Sequence, residues 1–178
     1  GYEMMSDTPR ILDATCGGRS IWMDEHKQKG DTVYCDRRQE PPDFAGDGRT
    51  YAVQPDIIAD NRELPFQPDT FDLAVYDQPY KIHSDGMKGL TGIMNQKYGV
   101  LHAETWQDDL NRAVCELFRV LNSAGTLVFK FQNVHRSWDK ILNQLPVDPL
   151  FGTTTKKHGE KETRWFTFHA SQYNPDFE

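Results

Sequence analysis

Three acidic residues of this sequence stand where a carboxylate could bind a ligand. Asp13 ends a short apolar run and leads into a turn with Gly17 and Gly18, while Asp36 and Asp77 end two further apolar runs. Such runs are typical of buried β-strands, and a strand that ends in small residues lets the backbone approach a ligand closely. A carboxylate in that position accepts hydrogen bonds from hydroxyl or amino groups. We therefore expect the chemistry of this chain at the ends of these strands.

The most informative stretch is the tetrapeptide Asp77-Gln78-Pro79-Tyr80. An amine attached to an aromatic ring is a poor nucleophile, because its lone pair is delocalised into the ring. Two acceptors on its N–H groups, the Asp77 carboxylate and the Gln78 carbonyl, would draw the nitrogen towards tetrahedral geometry. Pro79 would stiffen the turn, since its φ is fixed, and Tyr80 would offer a face on which such a ring stacks. We predict that these four residues are catalytic.

The elements that must position these residues follow an alternating pattern. Strand-like runs alternate with helical patterns, which is typical of an α/β protein with a mainly parallel sheet. The clearest helix is predicted over 105–121, and Thr105 with Asp108 predicts a capping box at its start. Shorter helices are expected over 19–28 and 136–145. The seven expected strands lie near residues 10–14, 32–36, 56–59, 71–76, 125–131, 149–155 and 163–169.

Two segments interrupt this pattern. Residues 37–55 are rich in proline and glycine, so we expect a loop there in place of a crossover helix. Residues 81–104 have four glycines and no clear period, which predicts a long loop that is mobile without ligands and orders around them. We expect residues 1–178 to form a single domain without a separate target-recognition domain.

The order of these segments resembles the class I S-adenosylmethionine-dependent methyltransferases. The tetrapeptide at Asp77 resembles the Asp-Pro-Pro-Tyr signature of members that methylate exocyclic amines of nucleic-acid bases, with Gln78 in place of the first proline. Residues 10–169 also look like small methyltransferase-like proteins of bacteriophages and bacteria. The resemblance implies a Rossmann-like α/β fold, with a mostly parallel seven-stranded sheet, an antiparallel last strand and helices on both faces.

The same resemblance implies S-adenosylmethionine as the cofactor. The turn after the first strand would hold its methionine part, Asp36 would accept the ribose hydroxyls, and Asp60 would accept the adenine amine. The cofactor-binding residues expected on this basis are Asp13, Thr15, Cys16, Gly17, Asp36, Asp60, Asn61 and Leu64. An acid about 20 residues beyond a glycine turn is also typical of NAD-binding folds. The turn lacks their G-x-G-x-x-G spacing, which favours the methyl donor.

Composition limits the other classes of function. No apolar run approaches the roughly 18 residues of a membrane span, and the six histidines lack metal-ligand spacing, so we expect no membrane contact and no metal. The three cysteines predict reduced thiols and a cytoplasmic protein. The net charge of −7 is unusual for a nucleic-acid binder, but lysine and arginine concentrate in 81–103 and 151–165.

Substrate and partner remain open at this stage. DNA and RNA bases are both candidate substrates, and a second subunit could supply recognition. A catalytically silent methyltransferase fold that serves as a binding module or subunit is the alternative to an enzyme, and Gln78 favours it.

Overall fold

A seven-stranded sheet organises the part of the chain that the computed structural model describes, namely residues 9–27, 30–40, 52–77, 82–83, 101–102, 105–133, 136–154 and 161–174. The strands, in chain order, are β1 Ile11–Asp13, β2 Thr32–Asp36, β3 Ile57–Ile58, β4 Phe71–Asp77, β5 Ile82–His83, β6 Leu101–His102, β7 Leu121–Gln132, β8 Phe151–Gly152 and β9 Thr163–His169. The strand order in the large sheet is β3-β2-β1-β4-β7-β9-β8. Strand β9 runs antiparallel to β7 and to β8, and the other neighbouring pairs described in this sheet are parallel. All seven predicted strands therefore have counterparts, and the antiparallel last strand is confirmed.

Two α-helices lie in the described residues, α1 Trp106–Val120 and α2 Trp138–Leu142. The helical spacing predicted α1 because one stripe of it is apolar, and Leu110, Val114 and Leu117 are fully buried. Burying one such side chain contributes about 1.5–3 kcal/mol, so this stripe fixes the helix against the sheet.

None of the helices described here is long and apolar enough to cross a membrane.

Both α-helices pack on the same face of the sheet. Phe118 of α1 contacts Phe168 with ring centroids 6.2 Å apart, and Trp138 of α2 contacts Phe166 at 5.5 Å. Phe166 and Phe168 are alternate residues of β9 and point to one face. In the described residues between β1 and β2, the chain forms a short 3-10 helix at Asp24–His26 and no α-helix. The expectation of helices on both faces is therefore not confirmed.

The predicted helix over 19–28 is wrong within its described residues, which contain only that 3-10 turn. Gly17 and Arg19 have positive φ values of 47° and 60°, a left-handed conformation that interrupts a helix after β1. The indole of Trp22 then donates to Asp13 at 2.6 Å, which folds this segment back towards the strand end.

Three further expectations need correction. The predicted capping box at α1 is absent, because the Thr105 hydroxyl donates to the Asp109 carboxylate at 3.0 Å and caps no backbone N–H. The helix expected over 136–145 ends at Leu142, after which Gln144 and Leu145 form tighter turns. The loop expected over 81–104 contains the parallel pair β5 and β6, and its other residues lie outside the described ones.

Candidate functional site

The topology brings three strand ends together at one edge of the sheet. Strands β2, β1 and β4 are direct neighbours and run parallel, so Asp36, Asp13 and Asp77 all lie at their carboxyl ends. In open α/β sheets this edge is where ligands bind. The structure therefore gathers the three acids that the sequence marked.

Asp13 is buried at the end of β1, with 1% of its surface exposed. Its carboxylate accepts hydrogen bonds from the Trp22 indole at 2.6 Å and from the Thr15 backbone N–H at 3.1 Å. Burial is the largest influence and raises the pKa of Asp13 to about 7, although both hydrogen bonds oppose that rise. The nearby charges of Asp77 and Asp36 raise the pKa further. Among the described residues, the hydrogen bonds to the Asp13 carboxylate thus come from neutral donors.

The turn after β1 is tied to both neighbouring strands. The Cys16 backbone N–H donates to the Cys35 carbonyl at 2.8 Å, and the Gly17 N–H donates to the Asp36 carboxylate at 2.9 Å. On the other side, the Thr15 hydroxyl accepts from the Asp77 backbone N–H at 2.7 Å. One short turn therefore sets the separation between Asp36 and Asp77.

Cys16 fits a packing role in this turn. Its side chain is buried, and burial raises the pKa of the thiol. A buried thiol with a raised pKa is a poor nucleophile. Cys16 therefore packs within the turn, and its backbone N–H ties the turn to β2 through the Cys35 carbonyl.

Asp77 lies near a lysine that the sequence did not single out. Strand β7 places Lys130 directly beside Asp77, and the Lys130 Nζ is 3.2 Å from the Asp77 Oδ2. Burial raises the pKa of Asp77, and the charge and hydrogen bond of Lys130 oppose that rise. Gln78, Pro79 and Tyr80, the remaining predicted catalytic residues, lie outside the described residues.

Asp60 follows β3 and sits in a different environment. Arg62 donates to both of its carboxylate oxygens, at 2.9 Å through Nε and at 2.5 Å through a terminal nitrogen. The Arg62 guanidinium also donates to Asp109 of α1 at 2.8 Å. The hydrogen bond from Arg62 lowers the pKa of Asp60 to about 2. The acid predicted to bind adenine is therefore already one end of an ion-pair network.

The two residues predicted to flank adenine have different surroundings. Leu64 is 5% exposed and belongs to the hydrophobic core, where its backbone N–H donates to the Glu116 carboxylate at 2.6 Å. Asn61 lies in the partly buried turn between Asp60 and Arg62. Of the two, Asn61 has the more accessible side chain.

The sequence analysis missed the partners of these acids, namely Trp22, Arg62 and Lys130. A signal existed for Lys130, because it is the one charged residue in the apolar run from Leu127 to Phe131. No signal identified Trp22 or Arg62 as partners, since both pairings depend on the course of the turns. Within the described residues, no group of His, Cys, Asp and Glu is suited to hold a metal ion.

Several solved structures share this fold. The PH0226 protein from Pyrococcus horikoshii OT3 aligns with a TM-score of 0.54 and 14% identity, over 93% of this chain and 83% of that one. A SAM-dependent methyltransferase from Methanosarcina mazei aligns with a TM-score of 0.51 and 14% identity, over 92% of both chains. The geranyl diphosphate C-methyltransferase of Streptomyces coelicolor A3(2), solved with S-adenosyl-L-homocysteine, aligns with a TM-score of 0.51 and 12% identity, over 92% of this chain and 70% of that one.

These similarities establish the fold class. The chain has the Rossmann-like fold of the S-adenosylmethionine-dependent methyltransferases, and the sequence identities are too low to transfer a substrate. No protein-family model matches the sequence, and no curated protein matches it. Function must therefore be argued from the site itself.

Proposed function

We propose that this protein is an S-adenosylmethionine-dependent methyltransferase that methylates an exocyclic amine of a nucleic-acid base. The observation that carries the proposal is the Asp77 carboxylate, which is partly buried at the end of β4 and linked through Thr15 to the turn that reaches Asp36. An acceptor for the amine and an acceptor for the cofactor ribose thus share one edge of the sheet.

The residues at the turn fit the proposed cofactor. The Asp36 carboxylate is 14% exposed and stands beside Gly17, whose positive φ brings the backbone to the edge without a side chain. Asp36 would accept the ribose hydroxyls, while Asp13, Thr15, Cys16 and Gly17 would line the methionine part. When bound, S-adenosylmethionine supplies an electrophilic methyl group.

Asp77 would prepare the amine for methyl transfer. A charged carboxylate accepts an N–H hydrogen bond and favours the localised lone pair that the nitrogen needs to form its new bond to carbon. As the nitrogen bonds to the methyl carbon, the bond from that carbon to sulfur would break and S-adenosyl-L-homocysteine would leave. The carboxylate would stabilise the positive charge on the nitrogen until solvent takes up the proton. The Gln78 carbonyl and the Tyr80 ring are proposed as the second acceptor and the stacking surface.

The proposed substrate is a base in DNA or RNA. Support comes from the tetrapeptide at Asp77 and from the basic residues concentrated in 81–103 and 151–165, which suit phosphate contacts. Trp165 lies near this edge with 41% of its surface exposed, and exposed aromatic rings provide stacking surfaces for bases. A second subunit could extend this surface.

One observation favours the silent binding module as a second candidate. Arg62 occupies both oxygens of Asp60, the acid proposed to accept the adenine amine. Cofactor binding would then depend on Asp36 and on the turn after β1, and it would be weak. Weak binding would suit a module that has a structural role and no catalytic one.

Two measurements on the wild-type protein separate these candidates. Titration calorimetry with S-adenosylmethionine and with S-adenosyl-L-homocysteine tests the cofactor, and transfer of labelled methyl groups to mixed DNA and RNA pools tests the reaction. The enzyme proposal predicts binding of both compounds and label in one pool. Binding without any transfer would support the silent module, and no binding at all would remove the cofactor assignment.

A further inference from the structure

Lys130 is the direct cross-strand neighbour of Asp77. The parallel pairing of β4 with β7 aligns Asp77 with Lys130, and the Lys130 Nζ lies 3.2 Å from the Asp77 Oδ2. The two side chains are similarly shielded, with 27% and 26% exposure. Shielding strengthens the attraction between the charges, because less water screens them.

The other groups around Asp77 do not stabilise its negative charge, because they are acids or neutral. Asp13 lies at the end of the adjacent strand β1, and Asp36 lies beyond it at the end of β2. Thr15 contacts the Asp77 backbone with a neutral hydroxyl. In the described part of the chain, Lys130 is therefore the one cation that contacts this carboxylate.

A tryptophan fixes the surroundings of the lysine. β9 aligns Trp165 with Lys130, and the Lys130 Nζ is 5.7 Å from the centre of the indole ring. A cation over an aromatic face is attracted to the ring, so the indole restrains the lysine on the side away from Asp77. Asp77, Lys130 and Trp165 thus form a row across three neighbouring strands.

We infer that Lys130 is a positioning residue that holds the Asp77 carboxylate in its charged, hydrogen-bond-accepting form for the target amine. The inference rests on the proposed function, because it gives the pair a role in that reaction. Lys130 contacts Oδ2 of Asp77, and among the described residues no hydrogen bond reaches Oδ1, which would accept from the substrate. A protonated Asp77 would carry a donor where the amine needs an acceptor, and burial next to Asp13 favours that protonated form.

The first test follows the titration of Asp77 in the protein alone. Carbon-13 NMR of labelled aspartate carboxyls is recorded against pH for wild type, Lys130→Met and Lys130→Arg, with Asp77→Asn to assign the signal. Lys140→Met is the matched control, since Lys140 is an exposed residue of α2. We expect Asp77 to titrate at a higher pH in Lys130→Met, with Lys130→Arg and Lys140→Met close to wild type. An unchanged titration in a folded Lys130→Met protein would overturn the inference.

The second test follows methyl transfer against pH in the same variants. We expect the acid limb of the rate profile to move to higher pH in Lys130→Met, with a loss of about tenfold or more near pH 6 that recovers in alkali. Affinity for S-adenosylmethionine should stay the same, and Lys130→Arg should restore the profile. An equal loss at every pH would indicate a structural pair and contradict the inference.

The two tests fail in different ways. If wild type methylates nothing, the proposed function and the role of the pair in it fall together. An unchanged NMR titration alongside normal wild-type activity overturns the role of Lys130 alone.

Discussion

Asp13 and Asp60 occupy similar places in the sequence and opposite environments in the structure. Both follow a parallel strand at the same edge of the sheet, but Asp13 is buried among neutral donors and Asp60 is paired with Arg62. Burial raises the pKa of Asp13 to about 7, and the hydrogen bond from Arg62 lowers that of Asp60 to about 2. The position of an acid at the end of a strand therefore does not determine its pKa, because burial and hydrogen-bond partners do.

Asp77 shares one feature with each of these acids. Burial raises its pKa, as it does at Asp13, and a cation pairs with it, because Lys130 of the neighbouring strand contacts its carboxylate. Asp60 instead joins the end of β3 to α1 through Arg62 and Asp109. Buried acids with perturbed pKa values are frequent at functional sites, whereas ion pairs between elements are frequent in frameworks. Asp13 and Asp77 are therefore acids whose pKa burial raises, whereas Asp60 is an acid whose pKa an ion pair lowers.

The largest effect is expected at Asp77. The variant Asp77→Ala should reduce methyl transfer by about a hundredfold or more while cofactor affinity stays within a few-fold, because in the proposed reaction the carboxylate would act on the amine in the transition state. The control is Asp139→Asn, which removes an exposed acid of α2. Labelled transfer and calorimetry on each variant give the two quantities. Equal transfer by Asp77→Ala and wild type would contradict the mechanism.

The pH dependence of stability should have opposite signs at the two acids. The pKa of Asp13 is raised to about 7, so its contribution stabilises the fold at low pH and is lost as the pH rises from about 4 to about 7. The loss should amount to a few kcal/mol for so buried a group. Urea unfolding at several pH values should show that Asp13→Asn flattens this dependence. If the free energy of unfolding of Asp13→Asn depends on pH as strongly as that of wild type, a group other than Asp13 causes the dependence.

Asp60 should behave in the reverse manner. Its pKa is lowered to about 2, so its contribution is present above about pH 4 and is lost as the pH falls towards 2. The corresponding variant, Arg62→Met, should lower the free energy of unfolding near pH 7 by about 1–2 kcal/mol, because Asp60 and Asp109 lose their shared donor. In Arg62→Met, the free energy of unfolding should still fall between about pH 4 and pH 7, because Asp13 causes that fall. If the fall disappears, the environments of Asp13 and Asp60 are coupled.

Sequence reasoning predicted the elements that depend on local pattern. The apolar stripe of α1 and the apolar runs of the strands identified their positions, since buried faces repeat at the period of the element. The same patterns placed Asp13, Asp36 and Asp77 at one edge, because parallel neighbouring strands end together. The structure agrees on each of these points.

The remaining features depend on contacts between distant parts of the chain. The segment after β1 has helical composition, yet the indole of Trp22 reaches back to Asp13 and Arg19 adopts a positive φ. Lys130 becomes a partner of Asp77 only through the alignment of β4 with β7, which no local pattern contains. Arg62 likewise contacts Asp109, which lies 47 positions further along the sequence, while it also binds Asp60. Charge states at the site follow from such contacts and require the folded structure.

The most direct test of the central claim is binding of S-adenosyl-L-homocysteine to wild type and to Asp36→Ala by titration calorimetry. Hydrogen bonds to a charged group contribute roughly 1.5–3 kcal/mol, so the variant should bind about tenfold more weakly or worse. The control variant Asp36→Asn removes the charge but keeps an acceptor for the Gly17 N–H. Together with a thermal melt of each variant, it separates the loss of the charge from a disruption of the turn. We expect measurable binding by wild type and a clear loss of affinity in a folded Asp36→Ala protein. Equal affinity of the two proteins would contradict it.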